Sequence, residues 1–158
     1  MTATSIDLTG GCYCGAVRYR ATGEVLTKGM CFCRECQHIS GGGGSVIMAM
    51  PAVGFSYTSG QPAQFARSDL ETPGTREFCA ICGTHLVTRS PRMQGAVLIK
   101  VGSLDDQSVY DMPGAIVYTS EKQAYHCLPD GIPTFEKFGF ERRDIPLEGH
   151  RRGFLAIR

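Results

Sequence analysis

Seven of the chain's eight cysteines fall in three short windows, Cys12-x-Cys14, Cys31-x-Cys33-x-x-Cys36 and Cys79-x-x-Cys82. No other feature constrains the fold as much. Cysteines two or three positions apart are poorly placed to bond to each other. They can aim their sulfurs at one metal ion. Zinc held by thiolates sits about 2.3 Å from each sulfur and is almost always four-coordinate. Two pairs and a triplet therefore predict two zinc ions per chain, one in a closed four-sulfur site and one on three sulfurs with a position left for another ligand.

The chain has 158 residues, a fifth of them charged, and a formal charge of +1. That length predicts a single domain, residues 1–158, with a core of its own. The charge balance argues against a nucleic-acid binder or a polybasic membrane protein. The arginines near the C-terminus (Arg142, Arg143, Arg151, Arg152, Arg158) are diluted by Glu141, Asp144 and Glu148 and read as a solvated surface. Met1 to Gly11 lacks the pattern of a secretory signal. The longest apolar run, Val46 to Val53, is too short to span a bilayer. Close cysteine spacing without a signal predicts reduced thiols in the cytoplasm rather than disulfides.

Short strands broken by glycine and proline are expected. Ala16 to Arg20 alternates apolar and polar residues, as a half-buried strand does. Further strands are expected at Ser45 to Met50, Gly54 to Thr58, Ala63 to Arg67, Thr75 to Phe78, His85 to Arg89, Ala96 to Val101 and Ala115 to Thr119. One helical turn fits Arg34 to Ile39. The class is mainly β, small twisted antiparallel sheets tied by zinc.

Each outer pair is framed by glycine, in Gly11-Cys12-Tyr13-Cys14-Gly15 and Cys79-Ala80-Ile81-Cys82-Gly83. Glycine permits the tight turn that lets backbone N–H groups face the sulfurs. One zinc on Cys12, Cys14, Cys79 and Cys82 would pin the N-terminus to the middle of the chain. The triplet Cys31, Cys33 and Cys36 has the three-ligand pattern of catalytic zinc. Cys127, His126, His38 or His85 could instead close it. The run Gly41 to Gly44 lacks the Lys-Ser/Thr of a phosphate loop. It admits a ligand close to the backbone or forms a plain turn.

Taken together, Gly10 to Tyr19, Cys31 to Cys36 and Phe78 to Thr84 resemble the glutathione-dependent formaldehyde-activating enzyme family. Val101 to Asp105 and Lys122 to Phe135 are softer matches. The resemblance runs from about residue 8 to 137 and leaves 138–158 as an extension. It implies small β-sheets with a structural zinc on Cys12, Cys14, Cys79 and Cys82 and a catalytic zinc on Cys31, Cys33 and Cys36. It implies condensation of glutathione with formaldehyde to S-(hydroxymethyl)glutathione, a carbon–sulfur lyase reaction run backwards. Two positions depart from the family pattern: Phe32 stands where histidine is common, and Tyr125 stands near the place of a tryptophan.

A zinc on three thiolates suits delivery of a further thiolate to an aldehyde carbon. His38, Lys122 and Tyr125 are candidate donors to the resulting oxyanion, and Arg34 could offset the site's negative charge. The partners expected are a small thiol and an aldehyde. The alternative is a non-catalytic, zinc-stabilised β module that binds a small thiol or a protein.

Overall fold

The computed structural model describes residues 4–138. The first three residues and most of the expected extension lie outside them. Besides four short 3-10 turns, ten strands and one short α-helix follow in order: β1 (Ile6–Gly11), β2 (Arg18–Gly23), β3 (Thr27–Cys31), α1 (Arg34–Ile39), β4 (Ser45–Pro51), β5 (Phe55–Ser59), β6 (Ala63–Phe65), β7 (Thr75–Phe78), β8 (His85–Arg89), β9 (Ala96–Lys100) and β10 (Ala115–Val117). The mainly β class is as the sequence implies. A small antiparallel sheet has the order β1-β2-β5. A seven-stranded sheet runs β10-β3-β4-β9-β8-β7-β6. Its strands pair antiparallel except β10, which adds to β3 in parallel over three residues.

The two sheets face each other across the main core. Leu8, Tyr19 and Ala21 come from the small sheet, and Met48, Met50, Val87, Val97 and Ile99 from the large one. Strand alternation makes this possible: even positions of β4 face the small sheet, while Ile47 and Ala49 face away. Each buried leucine, methionine, valine or isoleucine there contributes about 1.5–3 kcal/mol. Tyr19 carries its hydroxyl into this core, where it meets Ser103 Oγ at 2.8 Å. Burial pushes its phenol up to about 12. A Cβ at Gly10 would stand 2.3 Å from that hydroxyl, so only glycine fits there.

The opposite face of the large sheet positions the site. Ala49, Met93 and Ala96 form a smaller cluster on it. Beside them the pairing of β7 with β8 shifts register. Glu77 lies opposite Val87, but Phe78 lies opposite His85. The extra residue, Leu86, joins Val87 in the core, and His85 is turned onto the face that carries Arg76. Glu77 itself is buried. It accepts from Tyr57 Oη at 2.5 Å, Arg89 Nε at 2.7 Å and Gln64 Nε2 at 3.3 Å. A buried carboxylate with three donors is satisfied.

Two strands escape the sequence reading. β1 alternates, but its six residues end in two glycines. β3 reads Thr-Lys-Gly-Met-Cys, with little β-branched content. β3 is held between β10 and β4, and β1, at its sheet's edge, by β2 and a bridge from Gly10 to Leu104, rather than by their own propensity.

Candidate metal and substrate site

Two loops that follow β1 and β7 meet at one end of the molecule. In each, a cysteine carbonyl accepts from the glycine that ends the turn. Gly15 N donates to Cys12 O at 3.0 Å, and Gly83 N donates to Cys79 O at 2.9 Å. Both glycines are left-handed, with φ of 78° and 75°. Thr84 ties the loops together by accepting from Tyr13 N through Oγ1 at 3.0 Å. The four sulfurs of Cys12, Cys14, Cys79 and Cys82 lie within 4.8 Å of one another.

The geometry fits a tetrahedral ion. Sγ–Sγ separations are 3.5 Å for Cys12–Cys14 and 3.7 Å for Cys14–Cys79, across 65 positions of sequence. Four sulfurs about 2.3 Å from one zinc would lie about 3.8 Å apart, whereas a disulfide needs about 2.05 Å. All four are free thiols. Val17 N donates to Cys12 Sγ at 3.2 Å. Hydrogen bonds from the Thr84 side chain and backbone push the Cys82 thiol down to about 5. Both contacts favour thiolate, the form that binds metal.

The triplet is local in sequence and built differently. Cys31 ends β3. Cys33 is the N-cap of α1, its sulfur accepting from Cys36 N at 3.4 Å. Buried Gln37 anchors the helix by donating to Phe32 O at 2.6 Å and Glu121 O at 2.8 Å. The three sulfurs lie within 4.8 Å of one another. Hydrogen bonds from Cys31 and Cys36 hold the Cys33 thiol far below its ordinary value, and the same contact with Cys33 pushes Cys31 up. Three crowded sulfurs resist joint ionisation unless a cation joins them. This donor set fits zinc.

Among the described residues, no fourth cysteine, histidine or carboxylate joins the triplet within that reach. His126 is occupied elsewhere: Nδ1 accepts from Gln123 N at 2.9 Å, and Nε2 meets Gly42 O at 2.7 Å. Cys127 and His38 are exposed. The glycine run turns out to serve the protein itself. Gly41 and Gly42 turn through left-handed angles of 73° and 104°. A Cβ at Gly44 would stand 2.7 Å from the Phe32 ring. The Tyr125 hydroxyl donates to Gly42 O at 3.1 Å.

Beside Cys31 and Cys36, on the sheet face away from the main core, lies a cavity of about 170 Å³. Ile47, Met93, Leu98 and Val117 supply apolar wall, and Arg76, Arg92 and Lys100 supply charge. Tyr118 lines it from a left-handed backbone, φ 59°, which a bulky residue rarely adopts. None of His38, Lys122 and Tyr125 lines it. Arg34 turns its guanidinium to Gln37 Oε1 at 2.8 Å. The cation beside the sulfurs is Lys100, which the strand pattern of Ala96 to Val101 concealed. Its place two residues from Leu98, on the same strand face, was the available signal.

The family model described as glutathione-dependent formaldehyde-activating enzyme matches residues 7–121. The chain belongs to that family. A Halomonas elongata protein provisionally named as a glutathione-dependent formaldehyde-activating enzyme is 34% identical over 92 residues. That match covers 54% of this chain and 57% of the relative, so the chain spans little more than half of the relative's length. A crystal structure of a Rhodobacter sphaeroides protein superposes with a TM-score of 0.52 at 17% identity. It covers 62% of this chain and 88% of its own, and shares the fold. The family match ends before Tyr125 and Cys127, but it contains both cysteine clusters and Lys100. Among the described residues, no helix is long and apolar enough to cross a membrane.

Proposed function

We propose that this family member is a zinc-dependent carbon–sulfur lyase-type enzyme acting on a thiol–aldehyde adduct, with glutathione and formaldehyde as the first pair to test. In this reading it works in the cytoplasm. Cys12, Cys14, Cys79 and Cys82 hold a structural zinc, and Cys31, Cys33 and Cys36 hold the zinc at which substrate reacts. The observation that carries the proposal is a cluster of three thiols, two of which, Cys31 and Cys36, line a cavity. Bound zinc would supply acidification, keeping a coordinated thiol as thiolate at neutral pH.

The chain's own residues do the rest. Cys33, as helix cap, and Gln37, as anchor, hold the triplet's spacing before any metal arrives. The apolar wall excludes water that would otherwise solvate the thiol and hydrate the aldehyde. In the synthetic direction, the substrate sulfur attacks the carbonyl carbon and a C–S bond forms. The C=O π pair moves to oxygen, which takes the proton the thiol gave up. Cleavage is the reverse. Orienting the two reactants converts an encounter into a reaction between neighbours.

Exchange spectroscopy with ¹³C-formaldehyde and glutathione tests the proposal. Zinc-loaded protein should accelerate adduct exchange, and Cys33→Ser should not. Tight thiol binding with no acceleration by fully loaded protein would instead mark a binding module.

A further inference from the structure

The cavity carries more positive charge than its surroundings use. Arg76, Arg92 and Lys100 line it, and no aspartate or glutamate among the described residues does. Arg76 Nη2 is paired with Glu35 at 2.7 Å, but its buried Nε has no partner. Glu35 is also shared with Arg67. Lys100 Nζ donates to the Ser45 hydroxyl at 2.8 Å and has no carboxylate partner among the described residues. Both nitrogens of His85, on the same face, are likewise buried and unpartnered.

One explanation is that these cations merely balance the three sulfurs. That accounts for one of them. Three thiolates around a divalent ion leave a single negative charge and Glu35 pairs Arg76, so of Lys100 and Arg92 one remains in surplus. The wall between is apolar, so a charge placed there is felt strongly. An unpaired buried cation is costly, and a carboxylate is its natural complement. Arginine offers a planar fork and lysine a point charge to such a group.

We propose that the cavity is a carboxylate subsite, and that the thiol substrate carries a carboxylate a few bonds from its sulfur. The sulfur would lie at Cys31 and Cys36, and the carboxylate would take the free donors of Lys100 and Arg92. This rests on the thiol–aldehyde reading and narrows it: a neutral thiol of equal length is a poor substrate.

Cobalt-loaded protein under anaerobic conditions provides the test. The sulfur-to-cobalt charge-transfer band is titrated with mercaptoacetate and with 2-mercaptoethanol. Mercaptoacetate should bind at least about tenfold more tightly, the worth of one charge-assisted hydrogen bond. In Lys100→Met and in Arg92→Gln the ratio should fall toward one. Arg92 is exposed at the cavity's edge, so that variant keeps the test alive should Lys100→Met fold poorly. Equal affinity for the two thiols overturns the subsite. A preference that persists in both variants also overturns it, because the carboxylate would then be binding the metal. Acetate, which lacks sulfur, should by itself shift the amide resonances of Ser45 and Lys100 in wild type and not in Lys100→Met. If it does so while neither thiol perturbs the cobalt band, the anion subsite is upheld and the thiol–aldehyde reading falls. If neither acetate nor the thiols bind, both fall.

Discussion

The two cysteine clusters present the same ligand atom in different surroundings. The four-sulfur site joins positions 65 apart in sequence. Its loops repeat one turn, each closed by a left-handed glycine. Thr84 stitches them, and no lining residue of the cavity belongs to either loop. The triplet spans six residues of sequence and is held by a helix cap and a buried glutamine. It opens on a cavity with three cations. Closing a long loop is a stability device, because the unfolded chain must give up the entropy of that closure. On the proposed reading, sulfurs placed beside an unpaired lysine serve to bind something else. Local sequence alone distinguishes the two poorly; their neighbours distinguish them well.

The largest expected effect is on the clamp. Cys79→Ser removes a buried ligand that ties the strand-end loops. Structural zinc in small sites contributes apparent energies of about 10–16 kcal/mol. The variant should yield no soluble protein, or melt more than about 10 °C below wild type. It should also lose one zinc by elemental analysis. A Cys79→Ser protein that melts like wild type would remove the structural assignment.

Cys33→Ser should invert that pattern. The clamp still ties the chain, so melting should fall by only a few degrees while adduct exchange disappears. A serine hydroxyl still caps α1, which separates loss of metal from loss of helix. The same asymmetry predicts an order of metal release. Under a mild chelator, intact-protein mass spectrometry should show one zinc leaving first, and Cys33→Ser should already lack that ion. Simultaneous loss of both would erase the distinction between the sites.

Much of this was legible in the residues. Thr75–Phe78 and His85–Arg89 are strands with the expected bounds, and Arg34–Ile39 is the expected helical turn. Cysteine spacing identified the triplet and each outer pair, because spacing within a ligand motif is local, and the matching glycine frames of the two pairs pointed to their meeting. The cavity was not legible. Arg76, Thr88, Leu98 and Lys100 come from three strands, and only their register puts them together. The bulge that turns His85 to that face depends on Leu86 and Val87 both entering the core, which no single-strand pattern encodes. β3 was missed because Lys28 and Gly29 interrupt its pattern. It is nonetheless the strand that delivers Cys31.

A smaller effect is expected at Glu77, two residues before the clamp. Glu77→Gln removes the charge that Arg89 and Tyr57 address. Breaking a buried pair can cost about 3–5 kcal/mol. Here Arg89 is 41% exposed and can be resolvated, and glutamine retains an acceptor. The expected loss is therefore about 2 kcal/mol, or about 4–8 °C in melting temperature. The cobalt spectrum of the triplet should not change. A changed triplet spectrum would mean that the sheet transmits strain between the two sites, and that they are less independent than their separate construction implies.

The smallest expected effect is none at all. Cys127 is exposed, and it joins neither sulfur cluster. Its neighbour His126 is committed to Gly42 and Gln123 through both ring nitrogens. The segment is thus pinned by histidine, with the thiol left on its outer side. Cys127→Ala should keep full metal content, the wild-type cobalt spectrum and a melting temperature within about a degree, as surface substitutions usually do. Loss of one zinc equivalent in this variant would mean that the segment swings inward when metal binds. Cys127 would then complete a four-sulfur set with Cys31, Cys33 and Cys36. The triplet would become a second clamp, and the contrast between a site that holds the fold and a site that meets a substrate would be gone.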